Sequence, residues 1–331
     1  MKRRSVYLDA PGKIVVREEE LPEPPAGRML VKTIISAISS GTELLFYRGE
    51  APEDIPVDET IPALNHPLAY PLKYGYAAVG RIVETGRLVF AFNPHEDHFL
   101  AAPDELIPLP EGVSAEQAVF LASLQTALNF LVDGRPRNGE TAAVMGQGVP
   151  GLLTTALLAR QGLKRLVTFD RHELRRAHSL RLGADASLDP DSHDARLKFD
   201  GLIGKRRPED GADLVYELSG NPEALDRALA CAACGGRVVV GSWYGSKPVS
   251  LNLGGRFHRS RLQLINSQVS SLCAKVQMSA GDCLKLCLAG SGELGLPSLI
   301  SHRFPVERAR EAYELLDERP GEALQVVLTY E

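Results

Sequence analysis

The stretch TAAVMGQGVPGLLTTALLARQGLKRLVTFD, residues 141–170, decides the fold of this chain. It opens with an apolar run, Ala142–Met145, which predicts a short buried strand. Three glycines follow within Gly146–Gly151 in the spacing G-x-G-x-x-G. Apolar residues at helical spacing then predict a helix that Gly162 closes. A second apolar run, Leu166–Phe169, predicts another strand and leads directly into Asp170. These signals together predict a strand–helix–strand unit.

The glycine turn has the residue types that a dinucleotide requires. Gly146 permits a tight turn, Gly148 lets the backbone approach a diphosphate, and Gly151 lets the helix pack close to the strand. The first helical turn, beginning at Val149, offers N–H donors to an anion. We therefore expect the cofactor diphosphate at this turn.

The charge at the end of the second strand indicates which dinucleotide binds. Asp170 lies about 20 residues beyond the glycines, where an acid accepts hydrogen bonds from a ribose diol. Its charge would repel a 2′-phosphate, which favours NAD. Arg171, Arg175 and Arg176 follow it, and any of them can pair with a phosphate, so NADP stays possible.

Composition limits the class of protein. The 331 residues are enough for two domains, and the net charge of −5 argues against nucleic acid as a partner. No apolar stretch is long enough for a signal sequence or a membrane span. The cysteines are odd in number and confined to the C-terminal third, which suggests reduced thiols in the cytoplasm. They are Cys231, Cys234, Cys273, Cys283 and Cys287.

The N-terminal third is predicted to be rich in strands and turns. Its strand candidates are Val31–Ile38, Ala77–Glu84 and Leu88–Phe92. Between them, the proline-rich stretch Gly49–Pro71 is too irregular for regular structure and is interpreted as a flap over a site. A capping box at Ser114 begins a helical region that extends toward Leu131.

The rest of the chain alternates helix and strand patterns, which predicts an α/β fold with a doubly wound parallel sheet. The predicted helices are Glu173–Leu182 and Pro222–Ala233, and the predicted strands are Asp213–Leu218, Arg237–Ser242 and Leu262–Asn266. The tail adds helical patterns at Asp282–Ala289 and Val306–Leu316 and a final strand, Leu324–Tyr330.

Over nearly its whole length the chain resembles the medium-chain dehydrogenase/reductase superfamily. Besides the glycine turn, the matching segments are Gly41–Glu43, Tyr47–Gly49, Gly75–Gly80, Ile107–Val113, Thr126–Ala127, Glu217–Gly220 and Gly235–Gly241. Ser36–Glu43 is also similar to the branch that contains the bacteriochlorophyllide dehydrogenases. The resemblance implies a GroES-like, β-rich catalytic domain (residues 1–115, completed by 270–331) and a Rossmann domain (residues 116–269). It further implies nicotinamide in the cleft between them and a homodimer formed through the edge of the Rossmann sheet.

The chain departs from the zinc-dependent members of that superfamily. At the position of their cysteine ligand it has Ser39 and Ser40, and their Gly-His-Glu motif reads Gly75–Ala77 with Tyr76 in place of histidine. The third ligand position falls near Ala122. Hydroxyl groups are poor neutral ligands for zinc, and alanine offers none. No cysteine precedes Cys231, so the four-cysteine structural zinc lobe is also absent. We therefore expect a zinc-free member.

Without a metal, the substrate oxygen needs another group to polarise it, and a hydroxyl can do so. Tyr76 and Ser40 are the candidates, with Tyr47 as a further possibility. The alternative is that Tyr76 simply fills the space of the lost zinc.

The cluster His95-Glu96-Asp97-His98 is the densest titratable group in the chain. His95 is a candidate for proton handling, while a solvated loop and a metal site are the alternatives. His66, in the proline-rich flap, has the same ambiguity.

Further cofactor contacts follow from the resemblance and from the expected ends of the strands. They are Thr126, Ser219, Gly241, Ser242 and Trp243, the last with a packing role as the alternative.

Two other motifs have a simple structural interpretation. Cys231 and Cys234 form a CxxC with no second pair, and Cys283 and Cys287 share a helix face, so packing is favoured over redox or metal roles. The basic run Arg256–Arg261 either contacts an anionic substrate or is a solvated face, and the solvated face is preferred.

The sequence therefore predicts a zinc-independent NAD(P)-dependent oxidoreductase that transfers hydride between nicotinamide and a small alcohol or ketone. A reductase of enone or quinone C=C bonds is one alternative. A catalytically silent nucleotide-binding protein that acts as a sensor or structural partner is another.

Overall fold

The chain is built around two groups of strands. A computed structural model describes residues 1–61, 64–269, 272 and 294–331. By contacts, the chain divides between residues 122 and 123 and between residues 277 and 278. The first unit is formed by residues 1–122 with the C-terminal segment, and the second by residues 123–277.

The second unit is built on a six-stranded, all-parallel sheet with the order β11-β10-β9-β12-β13-β14. This is the strand order 3-2-1-4-5-6 of a Rossmann fold. Its strands are β9 (Thr141–Met145), β10 (Arg165–Phe169), β11 (Ala186–Leu188), β12 (Ala212–Glu217), β13 (Ala232–Val240) and β14 (Gln263–Asn266). Its helices are α3 (Leu121–Gly134, which begins at the boundary), α4 (Val149–Leu158), α5 (Glu173–Arg181), α6 (Ala195–Leu202) and α7 (Pro222–Cys231).

The predicted strand–helix–strand unit is confirmed. Every residue of β9 is buried, as expected for a parallel strand covered on both faces. Two details differ. The helix α4 ends at Leu158, and Gly162 lies beyond it in a turn with φ of +67°. The strand β11 and the helix α6 are not predicted from the sequence. For β11 the reason is its length of only three residues, all of them half-buried.

The first unit contains an antiparallel three-stranded sheet, β2-β1-β4, and a seven-stranded sheet in which β15-β16-β3-β5-β6-β8 are neighbours and β7 pairs with β3. The strands are β1 (Lys2–Ala10), β2 (Lys13–Glu20), β3 (Met29–Ala37), β4 (Leu72–Lys73), β5 (Ala78–Ile82), β6 (Leu88–Ala91), β7 (His98–Ala101), β8 (Leu106–Pro108), β15 (Ile300–Pro305) and β16 (Gln325–Thr329). The helices are α1 (Ser40–Arg48), α2 (Ala115–Ala118) and α8 (Ala309–Glu318).

The β-rich character of the N-terminal third is confirmed, but β1, β2 and α1 are not singled out by the sequence analysis. Ser114 caps α2 as predicted, because its hydroxyl accepts the N–H of Gln117 while the Gln117 side chain returns to the N–H of Ser114. The predicted helical region is split in two between α2 and α3. The described residues of Gly49–Pro71 are irregular, as predicted, and one isolated bridge joins Pro56 to Pro67.

The C-terminal tail returns to the first unit. The strand β16 lies between β15 and β3, so the predicted final strand is confirmed. The pattern at Val306–Leu316 becomes a short 3-10 turn followed by α8. The predicted helix Asp282–Ala289 and Cys273, Cys283 and Cys287 lie outside the described residues. None of the helices in the described ranges is long and apolar enough to cross a membrane.

Candidate functional site

The glycine turn of the second unit has the geometry that a dinucleotide needs. Gly146 has φ of +91°, and a Cβ there would lie 2.7 Å from the Cα of Ser219. A Cβ on Gly151 would lie 2.1 Å from the carbonyl oxygen of Gly146. By contrast, a Cβ on Gly148 would meet nothing within 4 Å. Gly146 and Gly151 therefore let neighbouring backbone segments pack closely. Gly148 instead leaves the backbone accessible beside Val149, the first residue of α4.

Asp170 is held against this turn. Its carboxylate is only 6% exposed and accepts the N–H of Gln147 at 2.7 Å and the N–H of His172 at 2.8 Å. These two bonds fix the orientation of the carboxylate, which lies where β10 ends. The side chain of Gln147 is also engaged, because it donates to the Gly146 carbonyl at 3.0 Å and accepts from Thr155 at 2.9 Å.

The three arginines after Asp170 already have partners. Arg171 pairs with Asp191 at 3.3 Å, and Arg176 donates to the carbonyls of residues 170 and 171 at 2.8 Å each. Arg175 lies 4.0 Å from the Asp170 carboxylate. Burial lowers the pKa of Arg175, and Asp170 opposes this effect. The positive charges of the arginines that follow Asp170 are therefore balanced by carboxylates and backbone carbonyls.

Ser219 lies in the loop after β12 and Ser242 in the loop after β13, and a hydrogen bond connects the two loops. Ser219 donates its N–H (2.8 Å) and its hydroxyl to the fully buried carboxylate of Glu217, which also accepts the hydroxyl of Tyr244. Ser242 accepts the N–H of Gly220 at 2.8 Å. Burial and the Glu217 carboxylate raise the pKa of Tyr244, so its phenol stays protonated. Sequence analysis missed Glu217 as the centre of this cluster, although an acid at the end of an apolar strand was a usable signal.

The remaining predicted cofactor residues lie in the same unit. A Cβ on Gly241 would lie 2.4 Å from the ring of Phe130, so this position allows α3 to approach the sheet. Trp243 is 37% exposed, and Thr126 lies half-buried on α3. Their contacts with a cofactor stay predictions.

A cluster of hydroxyl groups in the first unit surrounds Tyr76. The phenol of Tyr76 donates to the Oγ of Ser39 and lies 3.5 Å from the Oγ1 of Thr42. Burial raises the pKa of Tyr76, and the two hydroxyls only partly oppose this, so the phenol is a proton donor at neutral pH. Ser40, named with Tyr76 as a candidate to polarise the substrate oxygen, stays a prediction. Ser40 is the first residue of α1, whereas Ser39, one residue earlier, contacts Tyr76.

His95 lies beneath this cluster and is fully buried. Its Nε2 lies 3.0 Å from Oε2 of Glu43, and its Nδ1 lies 2.7 Å from the Oγ of Ser36. The expectation of a loop histidine facing a substrate is therefore wrong, because the ring has no exposed surface. A role for His95 is possible only through the residues that it contacts.

The two acidic residues that follow His95 in the chain form ion pairs. Glu96 contacts Lys73 at 2.8 Å and Arg3 at 3.3 Å, and Asp97 contacts Arg4 at 2.9 Å. Burial alone would raise the pKa of Asp97, but hydrogen bonds from Arg4 lower it below its usual value. The solvated loop and the metal site are both wrong for this segment, since no three His, Cys, Asp or Glu side chains in the described ranges are grouped to hold a metal.

The positions of the superfamily's zinc ligands do not supply a zinc donor set. They carry Ser39 or Ser40, Tyr76 and Ala122 in this chain, and Ala122 is buried. Neutral hydroxyls and a methyl group lack the nitrogen, thiolate or carboxylate donors that Zn²⁺ takes. The residues present therefore do not fit the metal.

Two motifs outside the sites have structural roles. Arg256 is not a solvated cation, because its guanidinium donates to the backbone carbonyls of Ala232 and Pro208. Burial raises the pKa of the Cys231 thiol to about 11, which makes it unreactive, and Cys234 is exposed. His66 is exposed, and its Nδ1 lies 2.9 Å from the carbonyl of Pro67.

Comparison with known proteins finds dehydrogenases of similar sequence. A family model described as zinc-binding dehydrogenase matches residues 150–279. The L-threonine 3-dehydrogenase of Bacillus subtilis (strain 168) is 28% identical over 218 residues, which is 65% of this chain and 59% of that protein. The 2-desacetyl-2-hydroxyethyl bacteriochlorophyllide A dehydrogenase of Cereibacter sphaeroides is 26% identical over 356 residues, which is 100% of this chain and 99% of that protein. These matches are similar to the chain over a zinc-binding dehydrogenase segment and over its full length, as expected from the resemblance to the medium-chain dehydrogenase/reductase superfamily.

A solved structure supports the fold of the chain. A crystal structure of a protein described as a short chain alcohol dehydrogenase from Escherichia coli CFT073, complexed with NADH, covers 99% of both chains with a TM-score of 0.78 and 19% identity. The alignment to the Bacillus subtilis dehydrogenase spans less than two thirds of that protein. Activity and substrate are therefore inferred below from the site.

Proposed function

We propose that this chain is an NAD-dependent oxidoreductase that moves a hydride between nicotinamide and an alcohol or ketone. The observation that carries the proposal is the glycine turn, where Gly148 leaves open backbone beside a carboxylate, Asp170, that is already oriented. The diphosphate would lie at the N-terminus of α4, and Asp170 would hold the ribose. When bound, nicotinamide supplies the hydride acceptor or donor.

NAD is proposed over NADP because of the charges around Asp170. A 2′-phosphate would be placed next to this carboxylate, which is repulsive. The arginines that could compensate are engaged, Arg171 with Asp191 and Arg176 with two backbone carbonyls. Binding NADP would therefore require these contacts to break.

We propose that the substrate oxygen is polarised by hydroxyl groups and not by zinc. The support is the donor set, in which Tyr76, Ser39 and Thr42 form the cluster at the position of a superfamily zinc ligand. Preorganised hydroxyl donors can stabilise charge on a reacting oxygen. The relatives above are named as dehydrogenases of hydroxyl-bearing compounds, which favours alcohol oxidation over reduction of a C=C bond.

The binding part of the proposal is tested by Gly148→Ala. In the free protein the added methyl group meets no atom within 4 Å. We expect it to clash with a diphosphate bound against the Gly148 backbone. Overpacking a contact costs about 1–3 kcal/mol, which corresponds to roughly a 5- to 150-fold increase in Kd. We expect this loss in NADH binding, measured by fluorescence titration, with an unchanged Tm. Gly201→Ala is the matched control, since its added Cβ also meets nothing within 4 Å. Equal NADH binding by both variants would contradict the proposed site.

The catalytic part is tested by assaying the protein with NAD and NADP against a panel of alcohols, ketones, enones and quinones. We expect turnover of alcohols or ketones with NAD, unaffected by EDTA. Turnover confined to enones or quinones would identify a C=C reductase. Tight NADH binding without any turnover would favour the silent nucleotide-binding protein. Stoichiometric zinc, with activity lost on chelation, would contradict zinc independence.

We also propose a homodimer formed through the edge of the six-stranded sheet, as the superfamily resemblance implies. The support is the edge strand β14, in which Gln263, Leu264 and Asn266 are exposed. Edge strands carry unpaired backbone groups that can pair with another chain.

A further inference from the structure

Ser39 stands at the N-cap of α1, but its hydroxyl does not cap the helix. A serine at this position usually accepts a backbone N–H of the first helical turn through its side-chain oxygen. Here its backbone carbonyl accepts the N–H groups of Thr42 (3.1 Å) and Glu43 (2.8 Å), and its own N–H donates to Oε1 of Glu43 at 2.7 Å. The backbone of Ser39 is thus fixed, while its hydroxyl is not used by the helix.

The hydroxyl of Ser39 instead accepts the proton of Tyr76. Because that proton is directed to Ser39, the phenol has no second proton to offer a substrate. Ser39 keeps its own proton, and accepting a hydrogen bond makes that proton a stronger donor. Ser39 is half-buried, so a ligand can reach it. Thr42 is the competing hydroxyl, but it lies 3.5 Å from the phenol oxygen, at the limit of a hydrogen bond.

The carboxylate that holds Ser39 is itself held rigidly. Glu43 is fully buried and accepts hydrogen bonds from the Ser39 N–H, the Tyr313 hydroxyl and Nε2 of His95. With Nε2 as donor, Nδ1 of His95 is an acceptor and receives the hydroxyl of Ser36. Ser36 in turn lies 2.8 Å from the hydroxyl of Tyr330.

We propose that Ser39, and not Tyr76, is the group that donates a hydrogen bond to the substrate oxygen. Tyr76 polarises Ser39 from behind, and Glu43 and His95 are positioning residues that act through the Ser39 amide. The assignment rests on the proposed oxidoreductase function and narrows its substrates to those with a neutral carbonyl or hydroxyl oxygen, which a single hydroxyl donor can recognise.

The central test compares Ser39→Ala with Ser250→Ala, a control at an exposed serine outside the proposed cofactor and substrate residues. We expect Ser39→Ala to lower kcat by about 100-fold, the typical effect of removing one donor to a reacting oxygen. Ser39→Thr keeps a hydroxyl and should restore most of the activity. Because Ser39→Ala removes the hydroxyl that accepts the Tyr76 proton, we expect a small decrease in its Tm, while the Kd for NADH of all three variants should match that of the wild type.

The positioning role is tested by a double-mutant cycle. Glu43→Gln preserves the shape of the side chain but cannot accept from all three donors through carboxylate oxygens. We expect kcat to fall about tenfold with NADH binding unchanged. If Glu43 acts through Ser39, adding Glu43→Gln to Ser39→Ala causes no further loss of kcat. Additive losses would overturn the positioning role, because a general structural effect is independent of the Ser39 hydroxyl.

Failure of the assignment is distinguishable from failure of the proposed function. Wild-type kcat in Ser39→Ala, or a large loss confined to Thr42→Ala, would overturn the role of Ser39 and leave the oxidoreductase standing. Absence of turnover by the wild type across the whole panel would overturn the proposed function, and the role of Ser39 with it.

Discussion

Arg256 shows how one side chain can hold several segments of backbone. Its Nε and Nη2 donate to the carbonyl of Ala232 at 2.8 and 2.6 Å, and its Nη1 donates to the carbonyl of Pro208 at 2.5 Å. Ala232 caps the C-terminus of α7, where carbonyl groups lack helical partners. A planar guanidinium suits this task because its donors are fixed in a fork.

Replacement of Arg256 should therefore destabilise the second unit. Arg256→Ala leaves partly buried carbonyls without a charged donor, and hydrogen bonds to charged groups contribute about 1.5–3 kcal/mol each. We expect a loss of roughly 2–4 kcal/mol in the free energy of unfolding, measured by urea denaturation. Arg259→Ala, an exposed neighbour in the same basic run, serves as the control. A cost no larger than that of the control would show that the contacts are not stabilising.

The sheet β2-β1-β4 illustrates electrostatics at the scale of an element. Glu19 on β2 accepts hydrogen bonds from Ser5 (2.8 Å) and Tyr7 (2.7 Å) on β1 and from Lys73 on β4. Burial by itself would raise the pKa of Glu19, but hydrogen bonds from these groups outweigh it and lower the pKa from 4.5 to about 2. One carboxylate thereby connects all three strands.

This low pKa predicts how stability depends on acid. A carboxylate with a lower pKa in the folded protein than in the unfolded chain contributes stability that is complete above pH 4.5. That contribution is lost as the pH falls from 4.5 toward 2. In Glu19→Gln, the free energy of unfolding should be lower at neutral pH and should depend less on pH over this range. Glu18→Gln, on the neighbouring exposed residue, should keep the wild-type dependence. Parallel pH profiles for Glu19→Gln and the wild type would contradict this assignment.

For the whole molecule, the edge of the six-stranded sheet determines assembly in our proposal. Among the described residues the strand β14 pairs only with β13, and its Leu264 is 40% exposed. An exposed edge strand carries unpaired backbone groups and, at Leu264, an apolar side chain that a second chain could cover.

We expect the wild type to be a dimer by light scattering and Leu264→Lys to shift it toward a monomer. A buried lysine opposite its symmetry mate adds charge repulsion and desolvation to the interface. Leu197→Lys replaces an even more exposed leucine on α6, at 74% exposure, and should leave the dimer intact. A monomeric wild type, or dissociation by the α6 control alone, would contradict the edge-strand interface.

Local pattern was enough to predict the strand–glycine turn–helix–strand unit. Its elements are adjacent in the chain, and Gly151 is required by a contact within a few residues, as the 2.1 Å distance from a Gly151 Cβ to the Gly146 carbonyl shows. The position of Asp170 follows from the same short segment. Short or polar elements such as β11 gave too weak a periodicity to be identified.

By itself, the sequence determined the α/β class and the glycine turn, because both depend on residue type and local spacing. Only the tertiary structure decided that Ser39 and not Ser40 contacts Tyr76, that His95 is buried and that Arg256 binds backbone carbonyls. Glu43 contacts His95 from 52 positions away and Tyr313 from 270 positions away. Such partners come together only when the β-rich unit folds, since no periodicity along the chain encodes which distant side chains will share a buried carboxylate.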